Sequence, residues 1–182
     1  MKLINTNIEG LTIIEPLVYK DSRGFFFEPY NKNKFDEYFG ITNFVQDNES
    51  KSSKGVLRGF HFQKPPFDQA KLVRCIEGKV LDIALDLRKQ SKTYGHYEKV
   101  VLSAENKKQF FIPRGFAHAF LVLSKSAIFS YKVDNIYAPE YDSGVIWSDT
   151  DLSIDWNFEN SELIISEKDQ NLKSFSELNS PF

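Results

Sequence analysis

A histidine between a glycine and a glutamine is the first place where this chain could do chemistry. Residues 57–63 read Leu-Arg-Gly-Phe-His-Phe-Gln, and the period-two alternation of a β-strand places Leu57, Gly59, His61 and Gln63 on one face. Histidine is the side chain that most readily moves protons near neutral pH, and Gly59 leaves room for a group to approach it. The alternative is a buried histidine satisfied by a neighbour, so the choice depends on the partners that the chain supplies.

The other two histidines bear on a metal site. His96 lies in a predicted surface turn, whereas His118 ends the segment Pro-Arg-Gly-Phe-Ala-His at residues 113–118, which resembles the second conserved motif of the cupin superfamily. Metal-binding cupins also carry a His-x-His pair on an earlier strand, and here that pair reads His61-Phe62-Gln63. Because an amide is a poor ligand for a transition metal, we expect no metal. Two histidines and an unidentified carboxylate leave iron or zinc as an open alternative.

Short strands separated by turns must position these residues. In residues 80–87 the apolar side chains alternate with Asp82 and Asp86, which is the pattern of a β-strand. Further strands are predicted over residues 99–102, 109–112, 117–123 and 127–133. Many short strands with turn signals between them predict an all-β sandwich or barrel.

The helical content is predicted to be small. Residues 34–39 have the spacing of a short helix that Gly40 ends, and the polar tail 166–182 is expected to add a helical turn or two. An aromatic strand is predicted over residues 25–30, and its exposed edge is a candidate element for a dimer.

Composition narrows the class of protein. The 182 residues suit one domain, 1–182, and a net charge of −2 favours neither a nucleic-acid partner nor a membrane partner. The N-terminus lacks the apolar stretch of a signal peptide, and no apolar run is long enough to span a bilayer. The single cysteine, Cys75, lies in an apolar run and is expected to be a buried strand thiol. A cytoplasmic protein is therefore predicted.

Several motifs, in order along the chain, resemble the dTDP-4-dehydrorhamnose 3,5-epimerase family. They include residues 57–63, Gln-Ala-Lys-Leu-Val-Arg at 69–74, residues 112–118, Tyr131-Lys132 followed by Tyr-Ala-Pro-Glu at 137–140, and Ser-Glu-Lys-Asp at 166–169. The resemblance runs from about Gly10 to about Asp169. It implies a cupin jelly roll, or double-stranded β-helix, that acts without metal or cofactor as a homodimer on a dTDP-linked 4-keto-6-deoxy-hexose.

The chemistry of such a substrate explains the residue types. The 4-keto group acidifies the protons on C3 and C5, so inversion needs a base, an acid on the opposite face and a cation near the enolate oxygen. The resemblance implies that His61 is the base, Asp169 orients it, and Tyr131 is the acid. Lys71 is the candidate for stabilising the enolate, with Arg58 close to His61 in sequence.

The resemblance also implies a set of substrate contacts. Arg23 matches a phosphate-binding arginine and Tyr137 a residue that stacks on thymine; the remaining matches are Glu28, Gln46, Asp47, Asn48, Arg58, His118, Asp142 and Lys168. From composition alone, Arg23, Glu28 and Gln46 are ordinary exposed polar residues. The chain departs from the family pattern at Phe67, where a polar residue is usual, and at Asp142, where glutamate is usual.

Three alternatives therefore stay open. A related enzyme would invert only C3 or only C5, or would take another nucleotide sugar. A jelly roll that binds sugar without catalysis would need no proton transfer between His61 and substrate. A metal-dependent cupin would hold iron or zinc.

Overall fold

The computed structural model describes residues 1–40 and 43–182, which are mostly β-strand. The strands are β1 (Lys2–Asn5), β2 (Thr12–Glu15), β3 (Tyr19–Asp21), β4 (Gly24–Phe26), β5 (Gln46–Ser53), β6 (Val56–Gln63), β7 (Lys71–Glu77), β8 (Lys79–Asp86), β9 (Tyr97–Ser103), β10 (Gln109–Ile112), β11 (Phe116–Val122), β12 (Ser126–Val133), β13 (Asp142–Gly144) and β14 (Ile164–Ile165). The helices are α1 (Lys32–Phe39) and α2 (Glu167–Gln170), with 3₁₀ turns at Pro139–Tyr141 and Asn160–Glu162.

Two sheets form the predicted cupin jelly roll. The first sheet has the order β1-β2-β10-β7-β12-β5, and the second has the order β13-β6-β11-β8-β9. Strand β14 pairs in parallel with β6, and β3 and β4 form a separate hairpin. Apart from β1-β2 and β8-β9, the neighbours in both sheets are not consecutive in sequence, so residues from distant parts of the chain meet between the sheets.

Apolar side chains fill three layers around these sheets. The interior cluster between them includes Val73 and Phe129 from the first sheet and Phe120 from the second. The C-terminal segment covers the outer face of the second sheet, where Trp156 packs. Helix α1 covers the outer face of the first sheet with Phe35. Both sheets are therefore backed by packed side chains, and the site is built on rigid strands.

The predicted elements are largely confirmed, with a change to the start of the helix and to the extent of one strand. The helix begins at Lys32, two residues before the predicted start, because the Asn31 side chain caps it by accepting a hydrogen bond from the Lys34 N–H. The predicted strand 25–30 is wrong in extent, since only Gly24–Phe26 pairs, in the hairpin with β3. Pro29 has no backbone N–H to donate to a strand partner, and α1 begins shortly after it.

Two predictions from the sequence concern the burial of Cys75 and the lack of a membrane-spanning segment. Cys75 lies in β7 and is 4% exposed, which confirms a buried strand thiol. Among residues 1–40 and 43–182, no helix is both long enough and apolar enough to cross a membrane. A cytoplasmic location stays a prediction.

Candidate active site

Strand β6 contains an irregularity that brings two basic side chains to one cavity. His61 pairs with His118 of β11 and Arg58 pairs with Phe120, so three steps along β6 match two steps along β11. The extra residue is a β-bulge, which reverses the alternation of side chains beyond it. Arg58 and His61 therefore line the same cavity, while Leu57, which also borders it, packs in the cluster on the outer face of the second sheet, called the outer cluster below. The regular alternation predicted for residues 57–63 is wrong at this point.

Gly59 lies in the bulge and allows a close approach of backbones. Its φ is +114°, and a Cβ at this position would lie 2.4 Å from the carbonyl oxygen of His118 and 2.7 Å from the Cα of Ala119. Only glycine fits such a position without strain. The space that Gly59 leaves is thus occupied by strand β11 and not, as predicted, by a group that approaches His61.

His61 is held by a buried carboxylate from the C-terminal segment. Its Nε2 lies 2.7 Å from Oδ1 of Asp169, which is only 2% exposed, and Oδ2 accepts a hydrogen bond from the Gly59 N–H at 3.2 Å. Ser166 caps α2 by accepting from the Asp169 N–H. Burial opposes ionisation of Asp169, but the hydrogen bonds from His61 and Gly59 outweigh it and lower its pKa.

The carboxylate sets the tautomer of His61. Because ionised Asp169 can only accept, the proton of a neutral His61 lies on Nε2 and its Nδ1 carries the lone pair. The His61 side chain is 32% exposed, whereas its partner is almost completely buried. One nitrogen is thus fixed by Asp169 while the imidazole stays accessible from the cavity, as a general base requires.

A second histidine–carboxylate pair lies beside the first. His118 is directly opposite His61 in the strand register, and its Nε2 lies 2.9 Å from Oδ2 of Asp82. Both residues are buried, and burial lowers the pKa of His118 and raises that of Asp82. Asp82 was not predicted as a site residue. The signal for it was a carboxylate alternating with leucine and isoleucine in a strand that is buried on both faces.

Two adjoining cavities meet at the catalytic candidates. Their volumes are about 530 Å³ and about 350 Å³. Both are lined by His61, Lys71, Tyr131 and Lys168. The larger adds Ser50, Val56, Leu57, Arg58, His118, Phe120, Ile164, Ile165, Ser166 and Asp169. The smaller adds Gln46, Asn48, Phe62, Gln63, Gln69, Tyr137 and Asp142. The four predicted catalytic residues therefore lie around one connected space.

Lys71 and Tyr131 face this space from the first sheet. Desolvation lowers the pKa of Lys71 to about 8, against the opposing effect of Asp142 and Asp82. Lys71 therefore stays mainly protonated at pH 7. Burial raises the pKa of Tyr131, and the nearby Arg58 opposes this only in part. Tyr131 is thus a phenol at neutral pH and can donate a proton.

Polar residues surround the smaller cavity. Tyr137 is 54% exposed, and its hydroxyl donates to Oδ2 of Asp142 at 3.2 Å. Lys168 also hydrogen-bonds Asp142. Gln46 accepts from the Tyr137 N–H at 3.2 Å and donates to Asn48 at 2.8 Å. These predicted contact residues are thus brought together next to the catalytic candidates.

Three predicted contact residues lie outside both cavities. Arg23 lies in the exposed β3–β4 hairpin and pairs with Asp21, while Glu28 bonds Lys34 and Asn31. Asp47 points away from Gln46 and Asn48 along β5 and bonds Lys132. Neither cavity is lined by any of the three. A single copy of the chain therefore leaves them outside the site.

The donor groups do not match a metal centre. His61 and His118 each bind their own carboxylate, and both ends of the Gln63 amide bond to backbone groups. In the described part of the chain, no group of three or more His, Cys, Asp or Glu is placed to hold a metal ion. Gln63 stands where metal-binding cupins carry a second imidazole, and its amide joins two loops instead.

Known proteins that are similar to this chain share one family description. Residues 5–177 match the family model described as dTDP-4-dehydrorhamnose 3,5-epimerase. The protein of that name from Methanothermobacter thermautotrophicus is 53% identical over 97% of this chain and 95% of its own length. A crystal structure of the Elizabethkingia anophelis protein of that name is 55% identical, covers 97% of each chain and has a TM-score of 0.93. A dTDP-6-deoxy-D-glucose-3,5-epimerase from Legionella pneumophila, solved in complex with dTDP-4-keto-L-rhamnose, is 45% identical, covers 98% of this chain and 94% of its own, and has a TM-score of 0.94.

Proposed function

The chain belongs to the dTDP-4-dehydrorhamnose 3,5-epimerase family, and we propose that its site inverts C3 and C5 of dTDP-4-dehydro-6-deoxy-glucose by proton transfer through an enolate. The product is dTDP-4-dehydro-rhamnose. The observation that carries the assignment of roles is the position of His61 and Tyr131 on opposite sheets around one connected cavity. A base and an acid placed in this way can reach opposite faces of a sugar ring.

His61 is proposed to take the proton next to the carbonyl. The lone pair on Nδ1 accepts it, and Asp169 stabilises the resulting imidazolium through its hydrogen bond with the Nε2–H. The electrons of the broken C–H bond move into the carbonyl and leave an enolate oxygen at C4. Lys71 is the cation proposed to stabilise that oxygen, because it is protonated at pH 7 and lines both cavities.

Tyr131 is proposed to complete the inversion from the opposite face. Its hydroxyl gives a proton to the carbon, the enolate returns to the ketone, and Tyr131 is left as a phenolate near Arg58. Each inversion thus leaves His61 protonated and Tyr131 deprotonated. One proton must pass from His61 to Tyr131 through solvent before the second carbon reacts, so both centres can use the same pair of residues.

The smaller cavity, which is lined mainly by polar residues, is proposed to bind the nucleotide part of the substrate. Tyr137 is exposed enough to stack on thymine, and Lys168 supplies charge for the diphosphate beside Asp142. Gln46 and Asn48 add hydrogen bonds to the substrate at the same cavity, and His118 and Arg58 add them at the larger cavity.

Solvent exchange tests the reaction directly. Enzyme and the dTDP-linked 4-keto-6-deoxy sugar are mixed in D₂O, and proton NMR follows C3 and C5. The proposal expects deuterium at both carbons and a loss of exchange in His61→Ala. Deuterium at one carbon alone would identify a single-centre epimerase, and exchange at neither carbon would reject the enzymatic assignment.

We also propose a homodimer in which the partner supplies the predicted contacts that lie outside the cavities. The β3–β4 hairpin carries Arg23 beside Phe25 and Phe26, which are 55% and 70% exposed. Glu28 follows the hairpin, and Asp47 is likewise outside the cavities of its own chain. A second copy would cover these aromatic rings and could bring Arg23 to a diphosphate.

Mixed dimers test this arrangement. Arg23→Ala and His61→Ala subunits are unfolded together, refolded and assayed. If Arg23 acts in the partner's site, half of the dimers are mixed and each has one intact site, so about a quarter of wild-type activity returns. If Arg23 serves its own chain, the mixture is no more active than the average of the two variants. A monomer in sedimentation equilibrium at assay concentration would reject the homodimer.

A further inference from the structure

Gln63 makes three hydrogen bonds that no proposed catalytic step uses. It is 4% exposed, and its Nε2 donates to the carbonyl oxygens of Phe67 at 2.6 Å and Ile136 at 3.0 Å. Its Oε1 accepts from the Ala138 N–H at 2.7 Å. The amide therefore uses both of its donor hydrogens and its carbonyl on two separate loops.

Two of these bonds lie on either side of Tyr137. The carbonyl of Ile136 precedes Tyr137 and the N–H of Ala138 follows it, so Gln63 fixes the backbone on both sides of the ring. The ring itself is 54% exposed, so packing contributes little to its orientation. Its hydroxyl also donates to Asp142, and its N–H donates to Gln46 at the longer distance of 3.2 Å, whereas the Gln63 amide holds the peptide groups on both sides of the ring.

The loop that contains Phe67 is joined to the segment that carries Tyr137. Phe67, the third partner of Gln63, packs against Tyr141 with ring centroids 4.6 Å apart and the two rings tilted by 47°. Asn135 donates to the Pro66 carbonyl at 2.9 Å, and Gln69 donates to the Asn135 carbonyl at 2.8 Å. Gln63 is the buried centre of this connection, because the groups around it lie nearer the surface.

We propose that Gln63 is a positioning residue that holds Tyr137 in the orientation needed to bind the nucleotide, and that it acts on substrate affinity rather than on proton transfer. The inference rests on the proposed nucleotide-binding role of Tyr137. Gln63 stands where metal-binding cupins carry the second histidine of their His-x-His pair. An amide suits the positioning role because its two donor hydrogens and its acceptor match two carbonyls and one N–H.

Gln63→Met tests the inference because it keeps the size and removes all three hydrogen bonds. We expect dTDP binding, measured by calorimetry, to weaken about tenfold, as for the loss of buried hydrogen bonds whose partners stay unpaired. The KM for the nucleotide sugar should rise by a similar factor while kcat stays within about threefold of wild type. Gln63→Glu keeps the acceptor for Ala138 and serves as the second variant if the methionine variant does not fold.

A double-mutant cycle shows whether Gln63 acts through Tyr137. In a Tyr137→Ala background, Gln63→Met should weaken dTDP binding by less than about twofold, because the ring it positions is gone. Ser180→Ala is the matched control: it removes a buried hydrogen bond to the Leu87 carbonyl outside both cavities. It should lower the melting temperature without changing dTDP binding.

The outcomes separate the inference from the function on which it rests. If Tyr137→Ala binds dTDP as tightly as wild type, the nucleotide-binding role of Tyr137 is wrong. If Tyr137→Ala binds weakly but Gln63→Met binds normally, only the inference fails. It also fails if Gln63→Met weakens binding equally in both backgrounds, or if kcat falls while KM is unchanged.

Discussion

Asp169→Asn is the substitution that tests the proposed base most directly. It changes one oxygen to an NH₂ group within a buried side chain whose two oxygens face the His61 ring and the Gly59 N–H. The shape is nearly unchanged, but the negative charge is lost. An asparagine can also place its donor against His61, which would favour the tautomer with its lone pair turned away from the substrate.

The magnitude follows from the distance between the charges. The Nε2–Oδ1 separation of 2.7 Å places the centres of the imidazolium and carboxylate charges about 4 Å apart. At an effective dielectric constant near 20, their attraction is about 4 kcal/mol. That energy stabilises the imidazolium formed when His61 takes the proton. Its loss corresponds to about a 1000-fold slower exchange.

The assay is the initial rate of deuterium incorporation at C3 and C5 in D₂O, under saturating substrate. Asp149→Asn is the matched control, because Asp149 is also a buried carboxylate that accepts from backbone N–H groups, including that of Phe175 at 2.6 Å, and it lines neither cavity. We expect the control to lose stability but to keep its exchange rate. A rate for Asp169→Asn within about tenfold of wild type would refute a charge-supported base at His61.

Two further substitutions separate the acid from the cation. Tyr131→Phe should slow epimerisation at least about 100-fold while His61 still exchanges the substrate proton, so deuterium should enter at C3 or C5 without inversion, as NMR of the recovered sugar would show. Lys71→Met should reduce exchange about 100-fold, and the wild-type rate should decline as the pH rises through about 8, where Lys71 loses its proton. Because the pKa of Lys71 is about 8 in the folded chain and 10.5 for a free lysine, its burial costs stability that is relieved as the pH rises between those values. Lys71→Met should therefore raise the free energy of unfolding at pH 7 by about 1–3 kcal/mol in urea titrations, and a destabilised variant would contradict this reasoning.

Strands with a clear alternation could be predicted from the sequence. The strand predicted over residues 109–112 is β10 without any change of boundary. The alternation in residues 80–87 is confirmed, since Leu81, Ile83 and Leu85 pack in the outer cluster while Asp82 faces the interior. These segments are read correctly because each side chain contacts one face or the other, and the choice depends on local periodicity.

The bulge in β6 and the position of Arg23 could not be predicted in the same way. The bulge depends on how β6 pairs with β11, two strands that lie far apart in sequence, and nothing within residues 57–63 fixes that register. The His61–Asp169 contact, which only the family motif indicated, depends on β14, which pairs with β6 and brings α2 to the site. For Arg23, the family motif predicts a role in binding, but Arg23 lines neither cavity of its own chain, so the site it serves is assigned only through the proposed dimer.

The two histidine–carboxylate pairs explain why His61 rather than His118 is proposed as the base. They lie opposite one another in the strand register, and each histidine binds its aspartate through Nε2. The His61 side chain is 32% exposed, but that of His118 is 8% exposed, and burial lowers the pKa of His118 despite Asp82. A base must become a cation during the reaction, and this burial opposes that charge at His118.

The same comparison gives a paired prediction. His118→Asn should slow deuterium exchange by about tenfold, because it removes the proposed hydrogen bond to substrate and takes the imidazole away from the buried Asp82, which also interacts with Lys71. His61→Asn should slow it by at least about 1000-fold, because no other side chain at the cavity combines a fixed tautomer with access to the substrate. Circular dichroism confirms that both variants fold. If His118→Asn were the more damaging of the two, the roles of the two histidines would have to be exchanged.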